Sequence, residues 1–307
     1  MAVLQQLRAR FEAFTAAPTP VLAVEIAAGH VAAGRRQGSG SGKLEGVRVG
    51  ARALAPGLVR ASAAQANLAD AAAIAAELRP LLGALEGAGG EVTLLLPDLT
   101  ARLAVLSFDA LPAKTAELEP LARFRLRKSL PFAETQAVMS CQPLSGTKLL
   151  VAFADRARVD EYENCLEAAG AHAATVLPSG LACLAAHAAL EDASLLLRAD
   201  SGCLTSAFCR QGRVEFFRAL EIGAAVDFDA VFPSVAYFRD DWEACGHAGE
   251  PLLFTAGLSE GLRQQLAEEA PWARLREAEA AVAVLPDSVQ ESGALLAVAG
   301  ALRGRFV

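Results

Sequence analysis

Short apolar runs alternate with stretches of helical periodicity along most of the chain. In the first half, three such runs, at 21–26, 30–36 and 47–59, precede an alanine-rich helical stretch at 68–85. In the second half, three runs, at 194–199, 203–210 and 213–220, precede further helices and another strand at 252–255. Apolar runs of this length, separated by glycine-containing turns, are typical of buried strands. The pattern therefore predicts an α/β protein built from two similar halves.

A smaller α/β unit is predicted between the two halves. Strands at 91–96 and 101–108 lead into a basic helix, and two more strands follow around the turn at Ser145 and Gly146. A helix at 156–169 then ends at Gly170, a residue that commonly closes helices. The stretch 112–170 is therefore interpreted as an inserted subdomain.

The basic helix is predicted over 114–132, with Thr115 as its N-cap and Pro131 as its stop. Helical spacing places five apolar residues on one broad face, namely Leu118, Leu121, Ala122, Leu126 and Leu130. Arg125 projects into this apolar arc. A solvated helix face and a docking surface for a partner segment are both consistent with the pattern.

An amphipathic helix is predicted near the N-terminus, where Leu4, Leu7, Phe11 and Phe14 recur at three- and four-residue intervals. A linker completes the stretch 1–19. Such a helix can cap its own domain, dock on a partner or lie on a membrane surface.

Composition narrows the classes of function. The chain has 307 residues, of which 53% are hydrophobic and 21% charged, so it can bury a large core. Its net charge of -7 argues against a general nucleic-acid binder, because such binding requires neutralisation of phosphates. No run of about eighteen apolar residues lacks charges, and no signal-peptide core is present, which predicts a cytoplasmic protein. The six cysteines and four histidines lack metal-ligand spacing, so no metal site is predicted.

The two halves begin with related segments. The stretch 25–31 (EIAAGHV) aligns without gaps on 198–204 (RADSGCL), and each follows an apolar run and leads into a second strand. Only the glycine is identical in the two segments. The order of strands and helices around them supports a duplication better than the residues do.

A duplicated strand–turn–strand with an inserted subdomain resembles the actin-like ATPase superfamily. Within it, the chain resembles the PilM family of type IV pilus assembly proteins. The residues that carry this resemblance are Leu96-Pro97-Asp98, the helix 119–128, Leu130-Pro131-Phe132, the strand 139–144 (MSCQPL) and 213–223 (RVEFFRALEIG). The resemblance implies a first lobe at 20–111 plus 171–190, an inserted subdomain at 112–170 and a second lobe at 191–307.

The resemblance also implies a nucleotide site, formed by one Asp-x-Gly turn in each lobe and a Gly-Gly turn. Glycine lets backbone N–H groups approach phosphate, and the aspartate holds the metal or its water. The corresponding residues here are Glu25, Ala27, Arg198, Asp200, Gly202, Ala256 and Gly257. Each turn departs from the family pattern, and Arg198 places a cation where an acid is expected. We expect a degenerate, non-hydrolysing site with no catalytic residues and no cofactor, and ATP with Mg²⁺ remains the alternative.

The glycine-serine stretch 38–43 (GSGSGK) is not a P-loop. It lacks the spacing of G-x-x-x-x-G-K-[ST], and Leu44 follows the lysine. A hairpin tip is the better interpretation.

The resemblance finally implies a partner. PilM proteins bind the cytoplasmic N-terminal segment of the inner-membrane protein PilN, in a groove between the first lobe and the inserted subdomain. The residues expected at the groove are Arg123, Phe124, Arg125, Arg127, Pro131 and Phe132. Their charge favours an acidic partner segment, and association with the inner membrane is then indirect. Self-association is a further expectation from the superfamily.

Two other functions are consistent with the sequence. One is an active ATPase or sugar-kinase relative on the same fold, and the other is the cytoplasmic domain of a type II secretion protein.

Overall fold

The computed structural model describes residues 20–37, 46–144, 146–187, 193–200, 202–210, 213–223, 225–245, 250–278, 282–286, 288–289 and 292–303. The predicted N-terminal helix and linker at 1–19 lie outside these residues, as does the predicted hairpin tip at 38–43. Within the described part of the chain, no helix is long and apolar enough to cross a membrane.

The first lobe is organised on a six-stranded sheet with the order β14-β3-β2-β1-β4-β8. Its strands are β1 (Leu22–Ile26), β2 (His30–Arg36), β3 (Val47–Ala53), β4 (Glu91–Leu96), β8 (His172–Pro178) and β14 (Ala283–Val284). The first three strands are antiparallel, whereas β4 runs parallel to β1 and β8 parallel to β4. Strand β1 is buried along its whole length, as expected for a central strand covered on both faces.

Helices cover both faces of this sheet. One apolar core contains side chains from α1 (Ala71–Ala84) and α3 (Arg156–Ala169). The other contains side chains from α4 (Ser179–His187) and α7 (Ser292–Arg303), and it extends into the second lobe. Helices α4 and α7 approach closely at Gly300. A Cβ at this position would lie 1.9 Å from the carbonyl oxygen of Ala182, so only glycine fits there. The two lobes therefore share a continuous apolar core.

The second lobe repeats the arrangement in a five-stranded sheet with the order β11-β10-β9-β12-β13. The strands are β9 (Ser194–Asp200), β10 (Cys203–Arg210), β11 (Arg213–Glu221), β12 (Leu252–Ala256) and β13 (Arg274–Glu277). Three antiparallel strands are again followed by a parallel one, with helices α5 (Phe228–Ala244) and α6 (Glu260–Glu269). The order β11-β10-β9-β12 thus matches β3-β2-β1-β4, as the internal repeat predicts.

The inserted unit is a three-stranded antiparallel sheet with the order β5-β7-β6 and one covering helix. These elements are β5 (Arg102–Ser107), β6 (Ala137–Pro143), β7 (Lys148–Asp155) and α2 (Leu118–Leu126). Strand β5 pairs with β7 along its whole length, although it falls in the range predicted for the first lobe. Strand β14 and helix α7 likewise pack on the first lobe, although they fall in the range assigned to the second. We therefore propose 102–170 as the inserted unit.

Helix α2 is shorter than the predicted helix 114–132. A 3₁₀ turn precedes it, and the chain leaves the helix after Leu126, where the N–H groups of Ser129 and Leu130 both turn back to the Leu126 carbonyl. Pro131 disfavours helical backbone at the residue before it, so the helix could not have continued through Leu130. Leu118, Ala122 and Leu126 are buried as predicted, but Arg125 is exposed and does not lie in the apolar arc.

Candidate functional site

A buried cluster of charged side chains lies between the two lobes, at the ends of the central strands β1 and β9. One terminal nitrogen of Arg198 donates to Glu25 Oε1 at 3.1 Å and to Asp200 Oδ2 at 2.5 Å. The side chains of Glu25, Arg198 and Asp200 are 0%, 3% and 11% exposed. Arg198 therefore joins the acid of the first-lobe turn to the acid of the second-lobe turn.

His30 completes this cluster from the start of β2. Its Nε2 lies 3.3 Å from Glu25 Oε2, and its Nδ1 lies 3.9 Å from Asp200 Oδ1 without a hydrogen-bond partner. Burial opposes protonation of His30, but the hydrogen bond to Glu25 and the charges of Asp200 and Glu25 outweigh it. The pKa of His30 is therefore raised above its ordinary value of 6.5.

A second polar connection between the lobes is centred on Asp98, which follows β4. Its carboxylate accepts a hydrogen bond from the Thr205 hydroxyl at 2.5 Å and another from the Gly180 N–H at 2.8 Å. Asp98 is 2% exposed, and burial raises the pKa of its carboxyl group above the usual value of 3.8. Thr205 belongs to β10 and Gly180 to α4, so this carboxylate contacts both lobes.

The third turn of the expected nucleotide site is tightly packed. Gly257 follows β12 with φ +67°, and a Cβ at this position would lie 2.1 Å from the carbonyl oxygen of Ala199. Ala27 is buried, and its N–H donates to the carbonyl of His30 to close the β1–β2 turn. Gly202, with φ +86°, occupies the matching β9–β10 turn. The structure thus brings the expected turns together between the lobes.

The chemistry of the cluster follows from the position of Arg198. Ligand atoms of Glu25, His30 and Asp200 lie within 4.8 Å of one another, a spacing that suits a metal ion. The guanidinium, however, already bonds both carboxylates, and a second cation would have to displace it. Magnesium requires near-octahedral oxygen coordination, which these residues do not offer while Arg198 is in place. The residues present do not fit a Mg-nucleotide site.

An open cleft of about 230 Å³ lies between the inserted unit and the first lobe. Its walls come from β6, β7, α3 and β8, with Ala101 at the end of a loop. The lining residues are Ala101, Val138, Met139, Ser140, Ala152, Phe153, Ala154, Arg156, Val159, Glu163, Val176 and Pro178. Strands β6 and β8 are both edge strands of their sheets, so two sheet edges border a mostly apolar cleft.

The residues expected at the partner groove occupy the other side of the small sheet. Val151 and Phe153 share a core with α2, whereas Ala152 and Ala154 face away from it toward the first lobe. Side chains alternate along a strand, so the bulk of the cleft lies on the face opposite α2. None of the six expected residues is among those that line the cleft.

Those six residues differ in their surroundings. Arg123 donates to Glu119 and to the carbonyls of Glu134 and Ala137, so it ties α2 to the start of β6. Phe124 is 64% exposed, and the guanidinium of Arg127 stacks on its ring at 4.6 Å. The remaining three are exposed or half-buried, namely Arg125, Pro131 and Phe132.

Comparisons with known proteins identify the fold. The structure of the PilM–PilN type IV pilus biogenesis complex matches with a TM-score of 0.69 and 19% sequence identity, over 93% of this chain and 98% of that chain. The chain has a PilM-like fold. The cytoplasmic domain of EpsL, an inner-membrane component of the type II secretion system of Vibrio cholerae, matches with a TM-score of 0.52 and 14% identity, over 93% and 95% of the two chains. A scan against protein-family models and a search of curated proteins found no match.

The predicted fold class is thereby confirmed as a two-lobed, actin-like α/β fold with an inserted subdomain. The PilM-like resemblance inferred from 91–144 is confirmed as a likeness of fold. Sequence reasoning missed His30, Thr205 and Gly180 as members of the interlobe clusters. The gapless repeat contained a signal for His30, since it aligns with Cys203 directly beside the turn glycines.

Proposed function

We propose that this protein is an adaptor of a type IV pilus or related secretion system, and that it binds the cytoplasmic N-terminal segment of a PilN-like inner-membrane protein. The observation that carries this proposal is the apolar cleft bordered by the edge strands β6 and β8. The likeness to the PilM–PilN complex and to the cytoplasmic domain of EpsL supports it. On this proposal the protein is cytoplasmic and reaches the inner membrane through its partner.

The cleft suits an extended peptide. An edge strand offers unpaired backbone N–H and C=O groups to an added strand, while apolar walls accept alternate side chains. Ala152 and Ala154 leave space in the floor of the cleft, and Val138 and Val176 form opposing walls. Arg156 and Glu163 supply charges at its rim. The expected ligand is therefore a short aliphatic segment with polar flanks.

The surface around Phe124 on α2 is the alternative docking site. It keeps the sequence-based expectation of an acidic partner segment, because Arg127 stacks on the exposed ring of Phe124, and Arg125 and Lys128 are exposed in the same segment. Arg123 is better explained as a structural residue, since its hydrogen bonds are internal. No surface on the described residues singles out a mode of self-association.

We further propose that the adaptor works without nucleotide. The guanidinium of Arg198 neutralises both turn acids, and the contact of Gly257 with Ala199 closes the third turn. An active ATPase is the competing function. Isothermal titration with Mg-ATP separates them: saturable micromolar binding that Asp200→Ala abolishes would contradict a nucleotide-free adaptor.

The partner proposal is tested by fluorescence anisotropy with a labelled peptide of the N-terminal segment of the PilN-like protein from the same organism. Ser140→Arg places a large charged side chain in the cleft from an exposed position on β6. We expect it to weaken peptide binding about tenfold or more, which corresponds to the loss of one or more contacts. Phe124→Ala, on the opposite face of the sheet, is the matched control and should leave affinity unchanged. The cleft assignment fails if Phe124→Ala or Arg125→Ala abolishes binding while Ser140→Arg does not.

A further inference from the structure

We propose that a pocket at the end of β1 to β3 remote from the interlobe cluster binds a phosphate-bearing anion. The pocket has a volume of about 430 Å³. Its lining residues are Val21, Arg35, Arg36, Gln37, Arg48, Leu85 and Glu86. Three arginines thus line one opening in a chain whose net charge is -7, and two of them, Arg35 and Arg48, lie on the same face of the sheet.

Two of these arginines are placed against each other by the sheet. Arg35 of β2 and Arg48 of β3 are directly paired positions in the antiparallel register, so their side chains emerge on the same face. Like charges directly opposite each other on neighbouring strands are destabilising. Among the described residues that line the pocket, Glu86 is the one acid; it lies 3.6 Å from Arg35 as an ion pair, but its side chain is 83% exposed. Because solvent screens the Glu86 carboxylate, it offsets the repulsion between Arg35 and Arg48 only in part. A bound anion would reduce that repulsion further.

The pocket is already organised for binding. Arg35 Nη1 donates to the carbonyls of Leu85 and Glu86 at 2.9 and 2.7 Å, and Arg36 Nη1 donates to the carbonyl of Leu302 at 3.1 Å. These bonds to helix ends hold both guanidinium groups in place. Each guanidinium has five N–H donors, so Arg35 retains donors for a ligand. The Arg36 guanidinium bonds α7 on the other face of the sheet.

Interactions with the carboxyl ends of helices do not account for all three arginines of the pocket. They explain why Arg35 and Arg36 lie at the carboxyl ends of α1 and α7. Arg48, however, makes no hydrogen bond or ion pair with the part of the chain that the structure describes. It nevertheless lies opposite Arg35 and lines the same pocket. Its placement is explained if Arg35 and Arg48 act together on one ligand.

The chemistry selects phosphate. The planar fork of a guanidinium matches two phosphate oxygens, and charge-assisted hydrogen bonds of this kind are the strong ones. Such a group can belong to the headgroup of an anionic phospholipid or to a soluble phosphate compound. Val21, which is 42% exposed at the rim, places apolar surface beside the cations.

Two binding experiments on the full chain test the site. Co-sedimentation compares vesicles of phosphatidylcholine alone with vesicles containing phosphatidylglycerol, and calorimetric titration uses inorganic phosphate. Arg48→Gln should weaken the interaction about tenfold, since it removes one charge-assisted donor group. Arg102→Gln is the matched control, because it removes the same charge from an exposed position on β5. Arg48→Lys retains the charge without the fork and should give an intermediate affinity.

Each outcome decides a point. Binding to phosphatidylglycerol vesicles without binding to free phosphate assigns the site to lipid headgroups, and binding to free phosphate assigns it to soluble anions. The proposal is overturned if neither probe binds, or if Arg48→Gln and Arg102→Gln reduce binding equally. Circular dichroism melts of the variants show whether a loss of binding reflects unfolding. This site is remote from the partner cleft and does not depend on the proposed adaptor function.

Discussion

The guanidinium of Arg198, on β9 of the second lobe, donates a hydrogen bond at 3.1 Å to the carboxylate of Glu25, on β1 of the first lobe. The same guanidinium bonds Asp200, so one buried cation neutralises two acids. The contact joins the two lobes directly. The adaptor proposed here would therefore have a fixed arrangement of lobes that does not depend on nucleotide.

Replacing Arg198 with leucine is expected to lower the free energy of unfolding by about 3–5 kcal/mol, because it leaves buried carboxylates without their partner. Urea denaturation measures the change. Arg52→Leu is the control, since Arg52 forms an ion pair with Glu77 at 2.6 Å while both side chains are about 40% exposed. That pair should contribute about 0–1 kcal/mol. Equal losses in the two variants would contradict a structural role for the buried cation.

His30 is expected to make stability depend on pH. Because its pKa is raised in the folded state, its stabilising contribution is fully present below about pH 6.5, the unfolded value. The contribution is lost as the pH rises through the folded pKa. Denaturation of the parent protein and of His30→Gln at pH 5.5 to 8.5 tests this, and the gap between them should narrow at higher pH.

The subtraction in this experiment removes contributions that both proteins share. Asp98, Arg198 and Asp200 are ionisable groups near the same site, and they are present in both the parent protein and His30→Gln. A gap that stays constant would mean that the pKa of His30 is the same in the folded and unfolded states, and a gap that widens as the pH rises would mean that it is lowered in the folded protein. Either result would contradict the prediction.

Gly257→Ala is expected to be more destabilising than a Gly→Ala substitution at another position with positive φ. The positive φ alone costs about 1–2 kcal/mol for a residue with a Cβ, and the contact with the Ala199 carbonyl adds to it. Gly89→Ala is the control, because Gly89 has φ +74° but nothing lies within 4 Å of the added Cβ. Thermal melts should place Gly257→Ala clearly below Gly89→Ala. Indistinguishable melting temperatures would mean that β9 and β12 are less closely packed at this turn.

Two arginines on one helix should respond differently to truncation. Arg123→Ala removes hydrogen bonds to Glu119 and to the carbonyls that lead into β6, and should cost about 1–3 kcal/mol. Arg125→Ala removes an exposed side chain and should stay within about 0.5 kcal/mol of the parent. Urea denaturation compares them. A larger loss for Arg125→Ala would place that side chain in a structural contact.

Local patterns predicted most of the elements. The apolar runs that became β1, β2 and β9 to β12 were recognisable because strand periodicity and turn residues are encoded by neighbours in the chain. Helix α2 was predicted too long, since its apolar spacing continues past Leu126 although the backbone turns away. Strand β5 was recognised but assigned to the first lobe, because sheet partners cannot be read from one strand.

The sequence by itself predicted the two-lobed α/β architecture and the PilM-like resemblance, which rest on motif residues and on the order of the elements. It also has unusual residues at the turns where that resemblance implies a nucleotide site. Only the tertiary structure decided that Arg198 meets Glu25, 173 residues away in sequence, and that His30 joins them. It also decided that the cleft lies on the face of the small sheet opposite α2. These contacts depend on strand order and on how the lobes pack, and the periodicity of a single segment carries no information about either.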